Sequence, residues 1–169
     1  MATDRLFFAL RPDAAAAERI HALASRLREV CGLTGKQLAL ERLHVTLLFL
    51  GNHDGLPQQL LATADAAAQA LRHAPFELVF DRVMSFAHKE DPPLVLCRDE
   101  NCASLDVLRR QLGADAAHSF KPHVTLLYDR KMISLQEVAP ISWNVTEVLL
   151  IRSLIGRGQH EVLGRYPLR

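Results

Sequence analysis

Five consecutive residues, His44-Val45-Thr46-Leu47-Leu48, recur letter for letter as His123-Val124-Thr125-Leu126-Leu127. Each copy is a short apolar run carrying one imidazole and one hydroxyl two positions apart. A β-strand sends residues i and i+2 to the same face. Each copy therefore presents a His and a Thr side by side, with Val turned the other way. Two such strands facing one cleft bring together two imidazoles and two hydroxyls, the equipment for acid–base chemistry on a phosphate. A polar pair repeated inside apolar strands costs stability unless it is used.

The rest of the chain supplies a frame for two such strands. Leu6–Leu10 is a short apolar run stopped by Arg11-Pro12, and reads as a buried strand. From Pro12-Asp13 to about Val30 the pattern is helical, with Ile20, Leu23, Leu27 and Val30 expected on one buried stripe and Gly32 just past the end. Leu43–Leu50 is the first motif strand, closed by Gly51-Asn52, and the Ala- and Leu-rich stretch from about Pro57 to Arg72 is a second helix. Phe76–Phe86 and Leu94–Cys97 read as strands around a polar turn at His88–Pro93. A helix over Ala103–Leu112 follows, with Leu105, Leu108 and Leu112 inward, then the second motif strand His123–Tyr128. Ser142–Ile151 and Glu161–Leu168 read as two closing strands around a turn at Gly156–Gly158. This order predicts an α+β fold: a single bilobal domain over residues 1–169, two pseudo-symmetric lobes of mostly antiparallel strands flanked by helices, and a central cleft between the motif strands.

Composition narrows the partners. The chain of 169 residues is long enough for a sizeable core. A formal net charge of +1 lacks the basic excess of proteins that track a long nucleic-acid backbone, so RNA contact is expected to be local, at a terminus or a few nucleotides. Three cysteines, Cys31, Cys97 and Cys102, form no CxxC pair, which argues for free thiols in a reducing compartment rather than a disulfide framework or zinc knuckle. No stretch reaches membrane-spanning length, and the apolar run near the start is too short for a signal peptide, so a cytoplasmic protein is expected.

Four segments carry a resemblance over nearly the whole chain: Arg5-Leu6-Phe7-Phe8-Ala9-Leu10; Leu43-His44-Val45-Thr46-Leu47 with Phe49-Leu50-Gly51; Phe120-Lys121-Pro122-His123-Val124-Thr125-Leu126; and Tyr166-Pro167-Leu168. In this order they resemble the 2H phosphoesterase superfamily, named for two His-x-Thr-x motifs, and most of all its bacterial RNA 2′,3′-cyclic phosphodiesterase branch, historically called 2′-5′ RNA ligases. The resemblance implies hydrolysis of an RNA or nucleoside 2′,3′-cyclic phosphate to a 2′-phosphomonoester, with reverse 2′-5′ ligation as a related reaction. It implies His44 as proton donor, His123 as proton acceptor, and Thr46 and Thr125 as donors to the phosphate oxygens; the near-identical motifs alone do not assign that polarity. No metal or cofactor is implied. The chain departs from the family at two positions that bear on the substrate's base: Tyr128-Asp129 stands where a basic residue is frequent, and His160 where a Tyr is frequent.

Further candidates lie near the expected cleft. Arg5 and Phe7 alternate on the first strand and can reach substrate, as can Arg130 and His160. Lys121, Arg130, Lys131, Arg152 and Arg157 are candidates for a local cluster that meets phosphates. His21, His53, His73, His88 and His118 sit in polar or turn-like contexts and are expected at the surface. Expected partners are RNA termini or small cyclic nucleotides, with no membrane and no obligate protein partner, the chain acting as a monomer. Competing classes are a nucleotide- or RNA-binding module without turnover, a phosphodiesterase for another cyclic phosphate such as an ADP-ribose cyclic phosphate, and a metal-dependent phosphohydrolase.

Overall fold

In a computed structural model, which describes residues 1–88 and 90–169, the chain builds one eight-stranded sheet and three helices. Lys89, inside the turn expected over 88–93, lies outside the described residues. The elements in order are β1 (Asp4–Leu10), α1 (Ala14–Cys31), a 3-10 turn (Leu40–Arg42), β2 (Val45–His53), α2 (Gln58–Gln69), β3 (Phe76–Ser85), β4 (Pro93–Cys97), α3 (Ala103–Gln111), β5 (His123–Tyr128), β6 (Gln136–Val145), β7 (Glu147–Leu154) and β8 (Gln159–Pro167). The strand order is β6-β3-β4-β5-β2-β1-β7-β8, and every neighbouring pair is antiparallel. The fold is thus α+β, with four strands on each side of a midline between the motif strands.

One face of the sheet is closed by the helices. Alternate residues Phe8 and Leu10 of β1, Val45 and Leu47 of β2, and Val124 and Leu126 of β5 join Ile20, Leu23 and Leu27 of α1 and Leu105 and Leu108 of α3 in the main core. The other face carries a smaller cluster, Phe7, Ala9, Leu149 and Ile151, and the polar motif residues beside it. Helix α1 is well specified at both ends. The Asp13 side chain accepts from Ala16 N–H at 2.8 Å, and Gly32 adopts the left-handed conformation (φ 63°) that ends the helix without a Cβ penalty.

The sequence expectations need correction at four places. Val30 is 76% exposed, because the stripe of Ile20, Leu23 and Leu27 continues one turn on to Cys31 instead. Strand β2 starts at Val45 and runs through Gly51 to His53, so Gly51-Asn52 does not close it, and His44 stands at the strand entrance just after the 3-10 turn. The run expected as one strand over Ser142–Ile151 is two strands broken at Thr146, β6 at one edge of the sheet and β7 inside the opposite half. The break is visible as a change of pattern. Ile141, Trp143 and Val145 alternate as an edge strand with one buried face does, whereas Val148 to Ile151 are buried consecutively, as on a strand covered on both faces. Finally, β8 begins at Gln159, so His160 lies within it, opposite Ser153 of β7.

Candidate active site

The two motif strands meet at the midline of the sheet and barely pair. Among the described residues they share one register pair, Val45 opposite Val124. Beyond it they separate, and the backbone of 37–38 fills the wedge, Leu38 N–H donating to Leu126 C=O at 2.9 Å. Because the strands are antiparallel about that one rung, the residue before each Val lies alongside the residue after the other. His44 therefore sits beside Thr125, and Thr46 beside His123. The two imidazoles occupy one diagonal of this rectangle and the two hydroxyls the other.

All four side chains line one cavity of about 320 Å³, together with Arg5, Phe7, Arg42, Phe49, Tyr128, Ser153 and His160. The imidazoles are held alike. His44 Nδ1 is 2.6 Å from the Arg42 carbonyl and His123 Nδ1 is 2.8 Å from the Lys121 carbonyl. A carbonyl oxygen only accepts, so Nδ1 carries the proton in each ring and Nε2 is left as the unprotonated nitrogen. An aromatic ring fixes each plane: Phe7 stacks on His44 with centroids 5.1 Å apart, and Phe86 meets His123 edge-on at 4.8 Å. His160 closes the group, edge-on to both His44 (5.2 Å) and Phe7 (5.7 Å).

Burial sets the protonation of these rings. It lowers His44 to about 4, with the charges of Arg11, Arg42 and His123 adding to the effect against the Arg42 carbonyl, which favours the charged form. Burial also lowers His123, against the Lys121 carbonyl, which favours the charged form, and with the Lys121 ammonium adding to the lowering. His160 is brought to about 4 by burial and then by the proximity of His44, Arg42 and Arg11. The site thus holds neutral imidazoles near pH 7, in a field of arginines that favours an anion.

Two β-bulges complete the lining. Across β1, Phe7 pairs with Phe49, Phe8 with Leu48 and Ala9 with Thr46, so three residues on β1 face four on β2 and Leu47 is the extra one. Across β4, Pro93 pairs with Tyr128 and Val95 with Thr125, so Leu126 is the extra residue on β5. Each bulge falls at the fourth residue of its motif and shifts the alternation by one, placing the sixth residue on the face of the Thr. Phe49 and Tyr128 are those sixth residues; they are 54% and 51% exposed at the mouth of the cavity.

Of the other expected contacts, Arg5, Phe7 and His160 line this cavity. Arg130 is not among the lining residues; its side chain is 93% exposed, 3.6 Å from Asp91. The basic residues expected near the second motif do not gather. Arg152 binds the buried Asp4 carboxylate and Glu161, Lys131 Nζ donates to the Cys31 carbonyl at 2.6 Å, and Lys121 alone of the five lines a cavity beside His123. His88 and His118 are exposed as expected, but His21, His53 and His73 are half-buried. Cys97 is buried and Cys31 and Cys102 half-buried, all free thiols. Arg42, Phe49 and Phe86 are lining or supporting residues that the sequence did not single out; Arg42, two residues before the first motif His, carried the nearest signal. Among the described residues no three His, Cys, Asp or Glu side chains gather to hold a metal ion, and no helix is long and apolar enough to cross a membrane.

Comparison with known proteins gives the family and the fold. A family model described as the 2′-5′ RNA ligase superfamily matches residues 11–156. A protein of Archaeoglobus fulgidus named RNA 2′,3′-cyclic phosphodiesterase is 28% identical over 130 residues, covering 72% of this chain and 70% of that protein. The crystal structure of E. coli LigT complexed with 3′-AMP superposes with a TM-score of 0.80 at 26% identity, covering 98% of both chains. The crystal structure of TT0787 of Thermus thermophilus shares the fold, with a TM-score of 0.78 at 23% identity over 98% of both chains. The chain is an enzyme of the 2′-5′ RNA ligase superfamily.

Proposed function

We propose that the chain hydrolyses 2′,3′-cyclic phosphates of RNA ends or nucleosides to 2′-phosphomonoesters, using its two imidazoles as acid and base. The observation that carries this reading is the diagonal pair of rings, each with Nδ1–H tied to a carbonyl and Nε2 turned to one cavity with two threonines. A phosphate on the rectangle has one imidazole at each end, as an in-line displacement requires. His123 Nε2 takes a proton from water as the water oxygen bonds to phosphorus. The P–O3′ bond breaks, and His44 Nε2–H gives its proton to O3′. The pair thus starts with one proton, on His44, and ends with one, on His123; exchange with solvent resets it. Thr46 and Thr125 donate to the non-bridging oxygens, where charge grows in the transition state. The anion itself raises both imidazoles from their depressed values, which favours the proton that the mechanism needs on His44. The name of the A. fulgidus relative and the 3′-AMP complex of E. coli LigT support the substrate class.

The test is turnover of adenosine 2′,3′-cyclic phosphate in excess EDTA, with the product read by phosphorus NMR. A 2′-phosphomonoester is expected from the wild type. His44→Ala and His123→Ala should each lower the rate by roughly 10²–10⁴-fold. Full activity in either variant would sink the two-imidazole mechanism.

A further inference from the structure

A second cavity adjoins the first and is larger. It measures about 700 Å³, within the roughly 300–1,000 Å³ of sites that enclose a whole small molecule. Thr46, Phe49 and His123 form part of its wall as well as that of the smaller cavity, so the two meet at the reacting centre. Its lining alternates rings with cations. The Arg109 guanidinium lies 4.0 Å from the Phe120 ring centroid, and its Nε donates to the Leu47 carbonyl at 2.9 Å. Lys121 Nζ lies 5.8 Å from the Phe86 centroid and donates to Met84 Sδ at 3.5 Å, a weak acceptor. Neither cation joins an ion pair among the described residues. The one carboxylate on the wall, Asp115, is 3.5 Å from His118 Nδ1.

Rings with unpaired cations between them suit single-stranded nucleic acid, the rings stacking on bases and the cations meeting phosphates. We propose that the larger cavity is the subsite for a second nucleotide of the substrate strand, so that oligonucleotide ends are preferred over mononucleotide cyclic phosphates. This rests on the phosphodiesterase reading above. Continuity at His123 and Thr46 allows one strand to occupy both cavities. The net charge of +1 offers no longer basic track, so recognition ends about one nucleotide beyond the reacting one.

The experiment compares kcat/KM for adenosine 2′,3′-cyclic phosphate and for a dinucleotide ending in the same group. The wild type should prefer the dinucleotide by about tenfold or more, the worth of one stacked base. Ser119→Trp, which fills the cavity from an exposed position on its wall, should abolish the preference and leave mononucleotide turnover unchanged. Lys121→Gln should reduce the preference severalfold. Equal use of the two substrates by the wild type, or a preference that survives both substitutions, overturns the proposal. If the wild type turns over neither substrate, the hydrolytic reading falls and the subsite is judged by calorimetry. Tighter binding of a dinucleotide 3′-phosphate than of 3′-AMP, lost in Ser119→Trp, then supports the subsite, and equal binding overturns it.

Discussion

His160 stands edge-on to His44, their ring centroids 5.2 Å apart at an interplanar angle of 71°. Its Nδ1 is buried and has no hydrogen-bond partner among the described residues. A phenyl ring in the same place keeps the aromatic contacts with Phe7 and His44 and removes the polar atom. His160→Phe is therefore expected to stabilise the fold by about 1 kcal/mol, in keeping with the cost of an unsatisfied buried group. Denaturant titration at pH 7 measures this, and a loss of stability would show that the imidazole is satisfied in solution.

Acid should weaken the fold before carboxylates titrate. His44 and His160 are lowered to about 4 in the folded chain, and His123 is lowered too, in each case by burial first. The unfolded chain binds these protons near pH 6.5 and the folded chain does not, so their cost is absent above that pH. It grows as pH falls from about 6.5 toward 4. Melting temperature should drop over this window, and the drop should be smaller in His160→Phe.

The same lowering separates two pH profiles. The pH dependence of kcat/KM reports the free enzyme, and that of kcat the substrate complex. Since burial lowers both motif imidazoles and a bound anion raises them, the optimum of kcat/KM is expected below pH 6.5, acid to that of kcat. Coincident optima would mean that substrate does not change the ionisation of the pair.

Much of this site is legible in the sequence, and what escapes it has a physical cause. The repeated His-x-Thr pairs give the rectangle because strand alternation depends on local geometry alone. Phe49 is hidden by the same rule: from Thr46, strict alternation sends it to the core, and the bulge at Leu47 returns it to the cleft. A bulge depends on how the neighbouring strand pairs, which no local pattern records. Likewise Ser142–Ile151 carries no Gly or Pro to mark a break, and only the change from alternate to continuous burial at Thr146 reveals two strands in different halves. Arg130 lies beyond a chain reversal pinned by Asp129, whose buried carboxylate accepts from Thr34, Gly35 and Lys131 N–H at 2.7–2.8 Å. That long-range tie carries Arg130 away from the cavity.

The threonines should act on rate more than on affinity. Thr46→Val and Thr125→Val keep the shape of the strand and remove the hydroxyl. Each is expected to lower kcat by about 10²-fold, the effect of losing one donor to a transition-state oxyanion. A change confined to KM would place the hydroxyls on the bound ground state instead.

Gly35 is irreplaceable for a reason outside its own conformation. A Cβ there would lie 2.0 Å from the Tyr128 carbonyl oxygen, and the Gly35 N–H already donates to Asp129 at 2.7 Å. Gly35→Ala must push the end of β5 away, and is expected to cost about 1–3 kcal/mol, as overpacking does. Thermal melting reads the loss; an unchanged midpoint would mean the loop shifts freely.

The rung at Val45 and Val124 has one more consequence. A two-fold relation through that rung makes the rectangle of imidazoles and hydroxyls blind to direction, since turning it over exchanges the acid of the proposed mechanism with its base. The arrow of the reaction must then come from what surrounds each ring. His44 is enclosed by Phe7, His160 and arginines, while His123 opens onto the larger cavity. Symmetry fixes the spacing of the machinery, and its unequal neighbours decide which way it runs.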